Sequence, residues 1–312
     1  FNQDFIRDIM EQENLDCLFD FENRNGIFPG VHRAYKFSLL VLSRLRAKEA
    51  KFVFYALDVS DIKDKLRLFT VKPNDLLTLN PNTSTIPVFR TKSDAELTLK
   101  IYSRIPVLHI DGKNNEWNFK SQLMFMMNTD SHLFKKEAVE GYLRLFEGKM
   151  VQLFDHRAAS VVTNSENLKR PGQPVDSTLL QHTDPNYIVT PQYYVPKNEV
   201  LSRVFDYWEK KWLIVWKKVT STTNERTMIS TIVPLSGISD SLYVAIPRQT
   251  DTKLLACLYA NFSSLVLDYV VRQKLGGINL SLYHVEQLPV LPPSVYTLTD
   301  IDFIAQRVLK LI

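Results

Sequence analysis

Residues 19–37, FDFENRNGIFPGVHRAYKF, limit what this chain can fold into more than any other stretch. An apolar pair, Phe19 and Phe21, runs into Asn25-Gly26, and a basic, aromatic run from His32 to Phe37 follows. Asn-Gly between β-favouring runs is a strong short-range hairpin signal. LDCLFDFEN (15–23) is therefore expected to pair across that turn with GIFPGVHRAYKFSLLVLSR (26–44), and KFVFYALDV (51–59) to supply a third strand. Helical spacing of Phe1, Phe5, Ile6 and Ile9 predicts a helix ending ahead of them. Strands this apolar need a partner sheet or helices, and none lies upstream. The chain reads as starting at the last antiparallel edge of a larger mixed sheet, a piece cut from a longer protein.

The 312 residues suit about two domains, and 45% hydrophobic with 23% charged residues suits a globular core. The longest apolar run, Leu254 to Val271, is interrupted by Asn261, Ser263, Ser264 and Asp268, so no membrane span and no membrane partner are expected. Nothing at the N-terminus reads as a signal peptide. Cys17 and Cys257 are too few for a disulfide scaffold or a cysteine zinc site, which fits a reducing, cytoplasmic location. A net charge of +4 permits an anionic partner without requiring one.

Further along, residues 79–89 read as a turn-rich loop. Ser93-Asp94 is expected to cap a helix running to about Ile105. Residues 169–196, rich in proline and polar residues, read as a long surface excursion. Short β-runs are expected at 210–221 and 226–234. A single helix is expected at 252–275 with Gly276-Gly277 as its stop, then an alternating strand over 278–293 and a last amphipathic helix from about 299 to 312.

Signatures of chemistry are mostly missing. The sequence has no Gly-x-Ser-x-Gly, no phosphate-binding loop, no Gly-x-Gly-x-x-Gly and no His-Glu-x-x-His. FDHR (154–157) offers Asp155, His156 and Arg157 to a phosphate or to proton transfer, or is simply a polar turn. Lys149, after Gly148, reads either as a phosphate contact or as a surface lysine. In KKWLIVWKKVTSTTNER (210–226), lysines bracket Trp212 and Trp216. That interleaving suits a nucleic-acid surface, and equally a half-buried strand whose lysines keep an edge soluble. Arg272 and Lys274 fall where a helix dipole alone favours cations, while the adjoining GGINLS presents Asn279 to a groove.

Taken in order, FENRNGIFPGVHRAYKF, LNPNTSTIPVFR, KIYSRIPVL, WNFKSQLMFMMNTDSHLF, EGKMVQLFDHR, TSTTNERTMISTIVP and ANFSSLVLDYVVRQKLGGINLSLYHVEQLPVLPP resemble the C-terminal half of large restriction-modification methyltransferases. These are the single-chain type IIG and IIL adenine-N6 DNA methylases, and the resemblance covers nearly the whole chain. It implies an α+β fold: the terminal strands of a Rossmann-like methylase sheet, then a mixed α/β target-recognition domain. Residues 1–80 would be the edge of the methyltransferase domain, 81–150 a connecting region and 151–312 the DNA target-recognition domain. S-adenosylmethionine would belong to the parent's upstream part, with no cofactor in this piece. Asn80-Pro81-Asn82-Thr83 lacks the second proline and the aromatic of the family's catalytic motif, so no catalytic or metal-binding residue is assigned. The resemblance implies duplex DNA and the upstream methyltransferase domain as partners. It places His32, Arg33, Tyr35 and Lys36 near an extruded base, with Lys149, Arg157, Asn224, Arg226, Arg272, Lys274 and Asn279 as further DNA contacts. The alternative is a protein-interaction module that docks a methylase or specificity subunit. A hydrolase using His156 is the third reading.

Overall fold

A computed structural model describes residues 3–164, 166–167, 172–204, 207–249 and 251–312. The fold is mixed α+β, with several small sheets. The chain divides into two compact units, Phe1–Lys113 with Glu286–Pro289, and Asn114–Val285 with Val290–Ile312.

The first unit runs α1 (Gln3–Glu11), β1 (Leu15–Glu22), β2 (Lys36–Leu42), β3 (Ala50–Ala56), β4 (Phe69–Val71), α2 (Pro73–Leu79) and α3 (Lys92–Tyr102). Its sheet has the order β2-β1-β3-β4. The two runs do pair, β1 and β2 being antiparallel in continuous register from Cys17↔Val41 to Glu22↔Lys36, but residues 23–35 join them and the Asn25-Gly26 turn does not close the hairpin by itself. The third strand, β3, lies parallel to β1 on its other side, so the sheet is mixed. Phe52, Val53 and Phe54 on β3 are buried, and Phe52 stacks on Phe69 with centroids 5.6 Å apart. Strand β2 is different: Leu39, Leu40, Val41 and Leu42 are all exposed, so both its faces meet solvent. Helix α3 starts one residue before the expected cap, because the Thr91 hydroxyl accepts from Asp94 N–H.

Boundaries at 80 and 150 rest on the family resemblance, and packing divides the chain elsewhere. Residues 81–113 belong with the first unit. Asn82 and Thr83 donate backbone N–H groups to Oε1 of the buried Gln287, and Leu108 N–H bonds to Leu288 O.

The second unit contains β5 (Ser121–Gln122), β6 (Tyr142–Phe146), β7 (Ala159–Thr163), β8 (Gly172–Asp176), α4 (Leu179–Thr183), β9 (Tyr194–Pro196) and α5 (Lys197–Arg203). Then come β10 (Trp212–Lys217), β11 (Ser230–Pro234), β12 (Gly237–Ile238), β13 (Leu242–Ala245), α6 (Thr252–Ser263), α7 (Leu265–Lys274), α8 (Leu282–Glu286) and α9 (Leu298–Leu311). The sheets have orders β11-β10-β13-β5, β12-β6-β9 and β7-β8.

Three expectations are corrected here. Strand β10 is not an edge strand but has β11 and β13 on its two sides, and Leu213 to Trp216 are fully buried. Trp216 stacks on Tyr243 at 5.3 Å and meets Phe262 edge-on, so the tryptophan there is core and not a nucleic-acid surface. The helix expected over 252–275 is two helices bent by 53°. Ser264 adopts an extended conformation and caps α7 through its hydroxyl, which accepts from Leu267 N–H; a Ser-Ser pair readily makes this switch. The stop is Leu275, extended, and not a left-handed Gly276. Finally, 278–293 forms no strand. Single bridges at Asn279 and Pro289 flank α8, since prolines 289, 292 and 293 cannot donate to a ladder.

The stretch 169–196 is not one loop, because its described residues include β8, α4 and β9. Thr178 and Gln181 form a reciprocal capping box that starts α4. Among the described residues no single helix is long and apolar enough to cross a membrane.

Candidate nucleic-acid interface

The segment between β1 and β2 is built around one buried asparagine. Asn23 is fully buried; its Nδ2 donates to Phe28 O (3.0 Å) and Val31 O (2.8 Å), and its Oδ1 accepts from Phe28 N–H (2.8 Å). Its own N–H bonds to Tyr35 O at 2.9 Å. Three side-chain bonds thus pin a segment that has no strand partner, with Phe28 seated edge-on against Phe37, itself stacked on Phe21. Gly26 makes the reversal at φ +80°, where a side chain would be strained.

Internal anchoring leaves the other side chains outward. His32, Arg33, Tyr35 and Lys36 are all exposed. Among the described residues Arg33 makes no hydrogen bond or ion pair, its guanidinium lying over Gly26. His32 Nδ1 accepts from Ala34 N–H, which puts the neutral ring's proton on Nε2, facing out. Glu22 pairs with Lys36 and Arg24, both at 3.3 Å. Lys36 and Arg90 also lie 4.9 and 4.5 Å from the ring centroid of Tyr55. Tyr55 itself has φ +55°, beside a register shift between β1 and β3. Such strain is stored where a strand re-aims a side chain. The segment leaves from the C-terminal end of β1, and Tyr55 is near that of β3, the end of parallel strands where open sheets bind ligands.

The cations expected in the second unit have internal work. Asp268 on α7 is buried; its Oδ1 accepts both Thr227 and Met228 N–H at 2.7 Å, and its Oδ2 accepts Arg272 Nε–H at 3.0 Å. Arg272 also donates to the carbonyls of Thr222, Asn224 and Glu225. Arg226 donates to Ser263 O and Ser264 O and lies 3.5 Å from Asp268. Both arginines therefore staple the 220–228 loop to α7. Lys149 pairs with Glu147 at 3.0 Å and donates to Gly172 O and Gln192 Oε1. Burial pushes the Lys274 amine well below its ordinary value. Burial first, and Lys274 second, lower nearby His284 to about 4. Exposed polar side chains remain at this tip: Asn279, beside a backbone bridge to Val219, and Asn224, whose amide is 3.4 Å from Thr220 Oγ1.

FDHR is a turn. Asp155 accepts from Arg157 N–H and pairs at 2.9 Å with His182 Nε2, while His182 Nδ1 donates to Thr178 O. Both ring nitrogens of His182 face acceptors, and its pKa is raised first by the bond to Asp155, then by that to Thr178. An ion pair of this kind is not a free general base. Arg157 fixes α4 by donating to Asp184 O and His182 O. His156 is shifted down by burial and by Arg157. Among the described residues no cluster of potential ligands could hold a metal ion. Asn82 likewise bonds backbone groups, His109 O and Asp111 N–H.

Sequence reasoning missed Asn23, Asp268 and His182. The capping-box spacing of Thr178 and Gln181 was the available signal for α4 and hence for His182. Asn23 and Asp268 act through long-range contacts that no local pattern marks.

No protein-family model matches the chain, and no curated protein sequence matches it. A solved structure does. It is the type IIG restriction endonuclease BpuSI, similar over 99% of this chain at 10% identity with a TM-score of 0.40. The chain spans 40% of that protein's length.

Proposed function

We propose that this chain recognises duplex DNA on behalf of a restriction-modification adenine-N6 methyltransferase whose cofactor-binding and catalytic part lies elsewhere. One observation carries the reading: the Asn23-pinned segment is held by internal hydrogen bonds and presents His32, Arg33, Tyr35 and Lys36 outward, with Arg33 making no hydrogen bond or ion pair among the described residues. Cations neutralise phosphates, and an aromatic next to them suits an unstacked base. On this reading the first unit's mixed sheet is the edge of a Rossmann-like methylase sheet, and S-adenosylmethionine binds upstream. Asn279 and Asn224 are the base-reading candidates of the second unit. Arg226, Arg272 and Lys149 hold its structure, and the Lys274 amine is buried. The test is retention of random duplex DNA at two salt concentrations, followed by sequencing. Enrichment of a short word, with binding that weakens as salt rises, supports the reading; absence of retention at low salt refutes it. An Arg33→Gln/Lys36→Gln variant should lower the salt slope by about two, at roughly 0.9 per phosphate contact.

A second reading, docking to a protein subunit, is favoured by β2. Among the described residues its outer backbone edge is unpaired, and its leucines are exposed on both faces, a template for strand addition. A complex insensitive to salt would favour that reading.

A further inference from the structure

The second unit contains a cavity of about 610 Å³, within the roughly 300–1,000 Å³ range of small-ligand sites. Its floor comes from a strand period of two. Tyr142, Arg144 and Phe146 alternate along β6, and Tyr194 of β9 is the direct cross-strand partner of Arg144. Tyr187 forms part of the wall, its hydroxyl held 3.1 Å from both Ser160 and Ser177. Arg157 and His156 add polar groups, and apolar residues such as Ile188, Val189, Pro234 and Leu235 line the rest.

Two features of this lining select a ligand. The aromatic rings stand on a sheet face or are fixed by their hydroxyls, which suits a flat π-system at little entropic cost. The charge is all of one sign, because none of the residues lining the cavity is a carboxylate. Arg157 is locked in place by two backbone carbonyls, whereas the half-buried Arg144 side chain makes no hydrogen bond or ion pair among the described residues. A sugar would call for carboxylate and amide acceptors, which the walls lack. An apolar ligand would leave Arg144 buried further without a partner.

We propose that this pocket binds one nucleotide, its base against the tyrosines and its phosphate at Arg144, with the fixed charge of Arg157 nearby. Aromatic platforms on a sheet face with an adjacent cation hold bases without regard to sequence. The nucleotide is either free in solution or part of a single strand. This site is separate from the surface segment of the first unit and does not depend on that segment's reading of DNA.

The test titrates the full chain with dTMP, with the single-stranded pentamer (dT)5 and with inorganic phosphate, by calorimetry. Parallel titrations use Arg144→Met and Tyr194→Leu, each first checked for an unchanged thermal transition. If dTMP binds and both substitutions weaken it about tenfold, a free nucleotide is the ligand. If only (dT)5 binds, with the same losses, the source is a strand. Binding of neither, binding untouched by both substitutions, or phosphate binding as well as dTMP would each overturn the proposal. Duplex retention by the same variants separates the two readings: it is expected unchanged when nucleotide binding is lost.

Discussion

Removing the carboxylate of Asp268 should unfold the 220–228 loop from α7 and leave its arginines without their shared anion. Asp268→Ala strands two backbone N–H donors, those of Thr227 and Met228, and breaks the contacts to Arg272 and Arg226. Breaking a buried ion pair from one side costs about 3–5 kcal/mol. The arginine side chains are 31% and 18% exposed and recover part of their loss in water, which favours the lower end of that range. In a unit of this size 1 kcal/mol moves the midpoint by roughly 2–4 °C, so the loss is about 6–12 °C. Asp268→Asn keeps an oxygen for the two amides and gives up the charge, and should cost about half as much. Calorimetry or urea unfolding of the second unit's transition measures both. A loss under about 1 kcal/mol in the alanine variant, or equal losses in the two, would refute the assignment of the carboxylate as the loop's anchor. The same geometry predicts what Arg272→Gln does to DNA affinity: stability falls while the salt slope stays put, because that guanidinium is spent on Asp268 and three carbonyls.

Asn23→Ala deletes three hydrogen bonds in a buried position and should cost about 2–3 kcal/mol in urea unfolding, with weaker duplex retention; full retention would separate the segment's order from its function. The Asp155–His182 pair raises the folded-state pKa of His182, so its stabilisation is fully present below the ordinary histidine value and is lost as pH rises through the raised one. The midpoint difference between wild type and His182→Gln should therefore be larger at pH 5.5 than at pH 9; the reverse order would overturn the role given to the Asp155–His182 pair. Burial pushes the Cys257 thiol up to about 11 and raises that of Cys17, so neither should react with a disulfide reagent at pH 8 until denaturant is added. Rapid labelling of the native chain would contradict that burial.

Local patterns carried the first unit's hairpin and the last helix. The β-favouring runs suffice for β1 and β2, though a segment of residues 23–35 joins them where the sequence predicts a tight Asn25-Gly26 turn, and Thr297 with Asp300 closes a capping box at the start of α9. They failed where local and long-range demands compete. The apolar period over 252–275 is continuous, yet Ser264 bends it so that Asp268 can reach the 226–228 backbone. Tryptophans between lysines look alike on a surface and in a central strand, and only β13 pairing on the second side decides for the core. Four of the candidate cations turn out to have internal partners or a buried setting. Sequence shows that Lys149, Arg226, Arg272 and Lys274 are basic, not whether backbone carbonyls, carboxylates or a dry environment already claim them.

Strand β2 has a consequence for handling the chain in solution. Its companion edge, β4, is three residues long and offers little to a neighbour. Strand β2 offers seven residues, four of them exposed aliphatics, with an open ladder. Lys36 before Leu39, and Arg44 and Arg46 after Leu42, act as charged gatekeepers at its two ends. Their repulsion is screened once ionic strength shrinks the Debye length to a few ångströms. Raising salt therefore loosens phosphate contacts and at the same time removes the brake on edge-to-edge stacking, so colloidal stability of the isolated chain should be best at low ionic strength.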